Sequence, residues 1–295
     1  IRDRSPSRGL GDVYKRQVSG VAFGTLISSY AAAIALAGGV RRVVTLRPPD
    51  YRYDIAELEA AIGPRTRLLL LNSPHNPTGK VFDREELAQI SKVAIENEIL
   101  VVTDEVYEHL IFDGREHVPI VTMPGMADRT VTISSGGKSF SLTGWKIGWL
   151  HGSAELVSAI RTVKQFLTYV SGGPFQHAIA AALLLRDSYF EDLKSDMEAK
   201  RDLFCSGLTD IGFDVFRPAG TYFATVDIRP LDSEDGISFC LGLPERCGVV
   251  AVPTSLFYDD PEAGRHLVRF AFCKKPEVLC EAIDRLSVLK TGGVL

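Results

Sequence analysis

Hydrophobic positions along the chain alternate between short apolar runs and longer stretches with helical periodicity. The apolar runs read RRVVTL, TRLLLLN, ILVVTD, TVTISS and WKIGWL, and helical stretches cover residues 54–62, 83–98 and 154–169. Runs that are apolar at nearly every position are typical of strands covered on both faces, as in mainly parallel sheets. The pattern therefore predicts an α/β fold in which a mostly parallel sheet lies between helices.

The second part of the chain has a different pattern. Helical stretches at residues 175–185 and 189–208 are followed by FDVFRPAGTYFATVDI, VVAVP and LVRFAF, with further helices at residues 237–246 and 276–289. This mixture predicts a smaller C-terminal α+β domain over residues 213–295, joined by a bridging helix at residues 189–212. The large domain is expected to span residues 29–188.

The N-terminal segment does not fit either domain. Residues 1–17 are rich in charged side chains and lack apolar periodicity, so residues 1–28 are predicted to be an unreliable or disordered segment. An artefact of the gene prediction and a genuine disordered tail are both compatible with this composition.

Residues 18–40 carry no charge and are flanked by Lys15-Arg16 and Arg41-Arg42, so this stretch is long enough to span a bilayer. Its many small residues and its final Gly pair, typical of a helix C-terminus, favour a buried helix of the α/β domain. A membrane span is the alternative.

Composition narrows the class of protein. The chain has 33 Lys+Arg against 37 Asp+Glu, a formal charge of −4, and 45% hydrophobic residues. These values indicate a folded, soluble protein and exclude a basic nucleic-acid-binding surface as its main feature. The five cysteines form no C-x-x-C pair, which predicts reduced thiols, no zinc site and a cytoplasmic location.

Three segments of unusual composition each follow a predicted parallel strand. SPHNPTGK follows TRLLLLN, DEVY follows ILVVT, and SSGGKSF follows TVTI. Ligands bind outside the carboxyl ends of the strands in such sheets, so these segments are expected to converge. Lys138 in its glycine turn could reach a carbonyl carbon, while Ser135 and Lys146 could hold a phosphate.

The segments SPHNPTGK, TDEVY, SSGGKSFSLTGWKIGW and HLVRFAFCK, in this order, resemble the pyridoxal-phosphate-dependent aminotransferases of fold type I, class I/II. The resemblance covers residues 29–289. The runs YEHLIFD, YVSGGPFQ and GTYF look most like N-succinyldiaminopimelate aminotransferases of the actinobacterial type. The resemblance to the aminotransferases implies a fold type I large domain that binds pyridoxal 5'-phosphate, followed by the smaller C-terminal domain.

The resemblance also implies catalytic and cofactor-binding residues. Lys138 would be joined to the cofactor aldehyde and would move a proton, which requires an unprotonated amine. Asp104 would pair with the pyridine nitrogen, and Tyr107 and Asn76 would bind the cofactor's phenolic oxygen. For isolated residues, the alternatives are a solvated turn lysine, a helix-capping aspartate, a packed tyrosine and a turn asparagine.

Further residues follow from the same resemblance. Ser135 and Lys146 would bind the cofactor phosphate, and Arg269 would bind the substrate α-carboxylate through a bidentate pair. The alternative for Arg269 is a buried salt bridge. His75 and Tyr222 are expected to line the substrate space or simply to pack. The remaining histidines, including His109, His151 and His177, show no metal-ligand spacing, and no metal is expected.

The implied activity is transamination between an amino acid and a 2-oxo acid. N-succinyldiaminopimelate and 2-oxoglutarate in lysine biosynthesis are the expected pair. A kynurenine, glutamine or methionine aminotransferase or β-lyase is the first alternative, and an inactive fragment or non-catalytic cofactor-binding protein is the second. The expected partners are these substrates and a second copy of the full-length chain, with no nucleic acid or membrane.

Family members are usually longer at the N-terminus. The resemblance therefore implies that a phosphate-binding turn, a pocket-closing arm and the aromatic residue that the partner subunit lends to the phosphate are missing. Leu26 stands where a ring would stack on the cofactor and is not assigned a role.

Overall fold

A computed structural model describes residues 19–23 and 28–291. In chain order, its strands and helices are β1 (Ser19–Phe23), α1 (Ser28–Leu36), β2 (Val40–Val44), α2 (Ile55–Ala61), β3 (Thr66–Asn72), α3 (Arg84–Glu96), β4 (Leu100–Asp104), β5 (Thr130–Ser135), α4 (Gly136–Ser139), β6 (Gly148–Gly152), α5 (Ala154–Leu167), α6 (Gly173–Ala182), α7 (Asp187–Ile211), β7 (Asp214–Phe216), β8 (Phe223–Asp227), α8 (Gly236–Cys247), β9 (Val252–Pro253), β10 (Leu267–Ala271) and α9 (Pro276–Leu286).

The larger sheet has six strands in the order β2-β1-β3-β4-β5-β6. All neighbouring pairs are parallel except β5 and β6, which are antiparallel. Leu69, Leu71 and Val101 on one face of the central strands are almost fully buried, whereas Leu70 and Val102 on the other face are only partly buried. The predicted α/β fold with a mostly parallel sheet is confirmed.

The N-terminal predictions need correction. Ser19–Phe23, assigned to an unreliable segment, form the buried strand β1 between β2 and β3. The single buried helix predicted over residues 18–40 is therefore wrong: the stretch contains a strand and a separate helix whose Leu36 is 90% exposed. Residues 1–18 and 24–27, including Leu26, lie outside the described residues. Within residues 19–23 and 28–291, no helix is both long and apolar enough to cross a membrane.

Strand β6 begins later than the run WKIGWL predicts. Residues Thr143–Trp145 form a 3-10 turn, and Lys146 follows in the left-handed region with φ 56°. This backbone conformation cannot continue a strand, so pairing with β5 starts at Gly148.

The smaller sheet is antiparallel, with four strands in the order β7-β8-β10-β9. Helix α7 leads from the first sheet into it and ends at Ile211, and the next residue, Gly212, adopts φ 118°. Within α7, Arg201 is fully buried and pairs with Asp113, which lies between β4 and β5, through both terminal nitrogens at 2.7 and 2.8 Å. This bidentate pair fixes the bridging helix to the larger sheet's loops.

All five cysteines are free thiols, as predicted. Cys205, Cys240 and Cys247 are buried, and burial raises the pKa of Cys205 to about 11 and of Cys240 to about 12. Thiols with such high pKa values are weak nucleophiles, so these two residues serve as small apolar groups in the core.

Candidate active site

The carboxyl ends of β3, β4 and β5 lie side by side at one edge of the larger sheet. Asn72 pairs with Asp104 across β3 and β4, and Asp104 pairs with Ile133 across β4 and β5. The three polar segments predicted to converge therefore do start from adjacent strand ends.

Asn72 fixes the loop after β3. Its Nδ2 donates to the backbone oxygen of Asp104 at 2.8 Å, and its Oδ1 accepts from the backbone N–H of Asn76 at 2.8 Å. Asn72 is 2% exposed, so these hydrogen bonds are shielded from water. They hold Asn76 beside the strand that carries Asp104.

Gly79 lets this loop approach the second half of the chain. Its φ is +72°, and a Cβ at this position would lie 2.2 Å from Cβ of Pro218. The backbone oxygen of Gly79 accepts from the N–H of Gly220 at 2.8 Å. Only glycine fits this combination of left-handed backbone and close contact.

Asp104, the last residue of β4, receives two hydrogen bonds on its carboxylate. Oδ1 accepts from the backbone N–H of Val106 at 3.2 Å, and Oδ2 accepts from the phenol of Tyr30. The pKa of Asp104 lies above its ordinary value because burial raises it. These two hydrogen bonds and the charge of Lys138 act in the opposite direction and offset part of that increase. The site thus holds a largely enclosed carboxylate that could accept from a cationic ring nitrogen.

Lys138 lies among tyrosines. Its Nζ donates to the hydroxyl of Tyr222 at 2.8 Å and lies 5.7 Å from the ring centroid of Tyr107. The two rings meet edge to face with centroids 5.2 Å apart. Tyr107 is 2% exposed, and burial together with Tyr222 raises the pKa of Tyr107, so it remains a protonated phenol. The predicted residues Lys138 and Tyr107 are therefore neighbours, and Tyr222 belongs with them.

Ser135 caps the short turn α4 that carries Lys138. The Ser135 hydroxyl accepts from the backbone N–H of Gly137 at 3.2 Å. A Cβ on Gly137 would lie 3.0 Å from Cα of Thr143, and a Cβ on Gly136 would lie 2.5 Å from Ile179. Glycine at both positions therefore allows the turn to pack directly on its neighbours.

Lys146 lies on the segment next to this turn. The N–H of Gly136 donates to the backbone oxygen of Ile147 at 3.1 Å, and Gly148 pairs with Ser135. Lys146 itself is exposed. Ser135 and Lys146, both predicted to bind phosphate, are thus on adjacent segments at the same sheet edge.

Arg269 reaches the site from β10 of the smaller sheet. Its Nη1 donates to Oδ1 of Asn76 at 2.7 Å, and its Cζ lies 4.0 Å from the ring centroid of Phe223 and 4.9 Å from that of Phe257. Burial lowers the pKa of Arg269, while Tyr107 and Tyr222 raise it. Within residues 19–23 and 28–291 no carboxylate pairs with Arg269, and its hydrogen-bond partner is the neutral amide of Asn76 instead of the acid that a buried salt bridge would need.

His75 packs inside the loop after β3. It is 1% exposed, and its Nδ1 lies 2.8 Å from the hydroxyl of Thr78. Burial, with a smaller contribution from the charge of Lys80, lowers the pKa of His75 to about 3. Of the two predictions for His75, packing is the one this environment supports.

Tyr30 is a site residue that the sequence did not single out. The uncharged segment around it matches no motif, and the only signal is a phenol in the first turns of a helix whose neighbours are mostly small. Phe223 and Phe257, which flank Arg269, were also not predicted.

Three titratable groups outside the predicted site lie close together. Ligand atoms of Glu105, Glu108 and His117 lie within 4.8 Å of one another, a proximity that their sequence spacing did not indicate. Each group already has a hydrogen-bond partner: His117 Nε2 lies 2.6 Å from Glu105 Oε2, and Glu108 accepts from Ser134 at 2.5 Å. These hydrogen bonds explain why the three side chains lie together: they connect the ends of the strands to the loop after β4.

The arrangement combines an amine, a carboxylate, a phenol and an amide at one sheet edge with a guanidinium from the other sheet. Such a set can attach an aldehyde at Lys138, accept from a cationic ring at Asp104 and bind an anionic substrate group at Arg269.

Comparisons with known proteins agree with this chemistry. The family described as aminotransferase class I and II matches residues 27–286. A Mycobacterium tuberculosis protein named a probable N-succinyldiaminopimelate aminotransferase is 49% identical over 88% of this chain and 68% of its own length. The methionine aminotransferase of Escherichia coli is 36% identical over 91% of this chain and 69% of its own length.

Two solved structures of aminotransferases are also similar to this chain. The N-succinyldiaminopimelate aminotransferase of Mycobacterium tuberculosis superposes with a TM-score of 0.90 and 47% identity, over 92% of this chain and 72% of that one. A methionine aminotransferase structure from Escherichia coli matches with a TM-score of 0.88 and 34% identity, over 94% and 75% of the two chains.

Proposed function

The chain belongs to the class I and II aminotransferases, and on this premise we propose that it transfers an amino group between N-succinyldiaminopimelate and 2-oxoglutarate, using pyridoxal 5'-phosphate. The observation that carries the proposal is the convergence of Lys138, Asp104, Tyr107 and Asn76 at one sheet edge, opposite Arg269. The 49% identity to the mycobacterial relative supports the choice of substrate and a place in lysine biosynthesis.

The residues present fit this cofactor. The donor set offers an amine for its aldehyde, a carboxylate for its ring nitrogen, and a phenol and an amide for its ring oxygen. Ser135 and Lys146 offer a hydroxyl and an ammonium group for its phosphate, beside glycines that keep the backbone close. When bound, the cofactor supplies an electron-withdrawing ring that stabilises negative charge at the substrate α-carbon.

Lys138 carries the proton in this proposal. Its amine would hold the cofactor through the aldehyde group, and the same amine is placed to accept a proton from the substrate α-carbon. Its hydrogen bond to the Tyr222 hydroxyl at 2.8 Å holds the amine at a fixed place among the aromatic rings. Tyr222 thereby orients the base.

Asp104 would keep the cofactor's ring nitrogen protonated. Its carboxylate is enclosed, so the attraction to a cationic ring is stronger than it would be in water. Tyr107 and Asn76 would bind the cofactor's ring oxygen from the neighbouring loops.

Arg269 binds and orients the substrate through its α-carboxylate. Its guanidinium lies between the rings of Phe223 and Phe257, and Asn76 occupies one of its nitrogens. Its remaining N–H groups are left for a bidentate pair with the carboxylate.

We also propose that two copies of the chain associate and that the enzyme works in the cytoplasm. Apolar side chains are exposed around the end of α5: Phe166 is 83% exposed, Leu167 76% and Val170 64%. Several exposed apolar side chains so close together in sequence are typical of a protein interface. The proposed domains are residues 29–188, with β1 added, the bridging helix 189–212, and residues 213–295.

The test combines colour with substrate choice. The purified chain mixed with pyridoxal 5'-phosphate should gain a visible absorption band that Lys138→Ala lacks, whereas Lys92→Ala on the exposed face of α3 should keep it. The wild type should then lose this band on addition of N-succinyldiaminopimelate and regain it with 2-oxoglutarate.

Two results would contradict the proposal. A colourless wild-type protein with excess cofactor would remove the aminotransferase chemistry. Loss of the band with methionine or kynurenine, but not with N-succinyldiaminopimelate, would keep the aminotransferase chemistry and replace the proposed substrate. The 36% identity to a methionine aminotransferase makes transamination of methionine the second candidate.

A further inference from the structure

Tyr30 contacts the carboxylate that the proposed function assigns to the ring nitrogen. It lies in the first turns of α1, and its phenol donates to Oδ2 of Asp104, 74 residues away in sequence. Burial and the nearby charge of Asp104 raise the pKa of Tyr30 far above its ordinary value. The phenol therefore stays protonated and acts as a donor throughout the physiological range.

The two oxygens of Asp104 are held by different parts of the fold. Oδ1 accepts from the backbone N–H of Val106, directly after β4, whereas Oδ2 accepts from Tyr30 on α1. A carboxylate has about four acceptor positions, so two hydrogen bonds fix its rotation and leave room for a third donor. With the backbone hydrogen bond to Oδ1 alone, the carboxylate could still rotate and Oδ2 would have no hydrogen-bond donor to hold it.

Helix α1 offers little other reason to cover a tyrosine side chain, which here is half-buried. Most of its side chains are small, and Leu36 is 90% exposed. A phenol that is shielded from water usually needs one hydrogen-bond partner, and many acceptors would satisfy that need. Here the partner is Asp104, the carboxylate that the proposed function assigns to the ring nitrogen.

We propose that Tyr30 is a positioning residue, which orients the Asp104 carboxylate and stabilises its ionised form for pairing with the cofactor's ring nitrogen. This inference rests on the proposed function, because it concerns the same site. Its consequence is that the contact between Tyr30 and Asp104 influences both cofactor affinity and the protonation of the bound cofactor.

The test uses Tyr30→Phe in the full chain, with Tyr53→Phe as the matched control. Tyr53 donates to the backbone oxygen of Glu86 and lies near Gln89. Because a hydrogen bond to a charged group is lost, Tyr30→Phe should bind pyridoxal 5'-phosphate about tenfold more weakly. A ring nitrogen that is less fully protonated withdraws fewer electrons, so the visible band should change at a pH at least about half a unit higher.

A double-mutant cycle with Asp104→Asn separates positioning from general stability. The effect of Tyr30→Phe on cofactor affinity should be at least about threefold smaller in the Asp104→Asn background, because the shared contact is already altered. Thermal unfolding of each variant without cofactor shows how much of any loss comes from folding.

The inference is overturned if Tyr30→Phe matches Tyr53→Phe in cofactor affinity and in the pH dependence of the band, or if its effect is unchanged in the Asp104→Asn background. Both results require a wild type that binds the cofactor and forms the band. A wild type that forms no band contradicts the proposed function instead, so the two failures are distinguishable.

Discussion

Arg269 and Asn76, 193 residues apart, are joined by a 2.7 Å hydrogen bond from Nη1 to Oδ1. Arg269 belongs to the smaller sheet, and Asn76 to the loop after β3 of the larger one. The bond links the proposed substrate-binding residue to a proposed cofactor-binding residue. Because the partner is a neutral amide, the guanidinium keeps its full charge for a substrate carboxylate.

Replacing Arg269 by lysine should test this role. Arg269→Lys keeps the charge but loses the two-pronged geometry, so kcat/KM with glutamate should fall by about 30- to 1000-fold, or about 2–4 kcal/mol of transition-state stabilisation. Steady-state kinetics of the two half-reactions would measure the loss.

The control is Arg265→Lys, an exposed arginine that pairs with Glu262 at 3.3 Å. It should leave kcat/KM within twofold of the wild type. A further comparison uses 4-aminobutyrate, which lacks the α-carboxylate: its weak reaction should not fall further in Arg269→Lys. An equal loss with both amines would remove Arg269 from carboxylate binding.

Lys146 is expected to act on the phosphate alone. Lys146→Ala should weaken binding of pyridoxal 5'-phosphate by about ten- to a hundredfold, because a charge-assisted contact is lost. Pyridoxal without the phosphate should bind the variant and the wild type equally, and Lys146→Arg should restore most of the affinity. Equal weakening of both ligands in a spectroscopic titration would show that Lys146 acts through the fold instead.

Much of the fold follows from the sequence because the strands are apolar at nearly every position. TRLLLLN and ILVVTD become β3 and β4 at the centre of the sheet, with one face buried and the other partly covered. The segment before Lys15-Arg16 and the uncharged stretch after it show no such pattern. Strand β1 was missed there because SGVAF is short, and its five apolar or small residues fit a helix equally well.

Part of the candidate site could be predicted from the sequence, and part could not. Lys138, Asp104 and Asn76 follow strands directly, so the carboxyl-end rule brings them together from sequence alone. The contacts of Tyr30 with Asp104 and of Arg269 with Asn76 join segments 74 and 193 residues apart. No local pattern specifies such pairs, because they depend on how α1 and the smaller sheet pack against the strand ends.

Gly79 should be required for the shape of the loop that carries Asn76. Gly79→Ala places a Cβ 2.2 Å from Pro218 on a backbone with φ +72°, so the free energy of unfolding should fall by about 3 kcal/mol. Gly38 is the matched control, because it has φ +71° but no atom within 4 Å of the place that a Cβ would occupy. Gly38→Ala should cost only about 1 kcal/mol in urea unfolding. Equal costs would show that backbone strain, and not the contact with Pro218, decides the effect.

Exposed apolar residues at the end of α5 should carry the proposed self-association. Phe166→Asp should shift sedimentation from dimer to monomer, because a charge would be buried unpaired at the interface. Leu241 on α8 is 75% exposed and provides the control, since Leu241→Asp should leave the dimer intact. A wild type that is monomeric at all concentrations tested would contradict the proposed dimer.

His75 should make the protein sensitive to acid. Its pKa is lowered to about 3 by burial, from 6.5 in the unfolded chain, so below pH 6.5 the unfolded state gains a proton that the folded state does not. The free energy of unfolding should therefore fall as the pH drops through this window, by up to about 1.4 kcal/mol per pH unit from this group. His75→Gln should unfold more easily at pH 7 but lose stability less steeply between pH 6.5 and 4.5 in urea titrations, whereas His177→Gln at an exposed position should follow the wild type. Parallel pH profiles for wild type and His75→Gln would show that His75 is not held neutral in the folded protein.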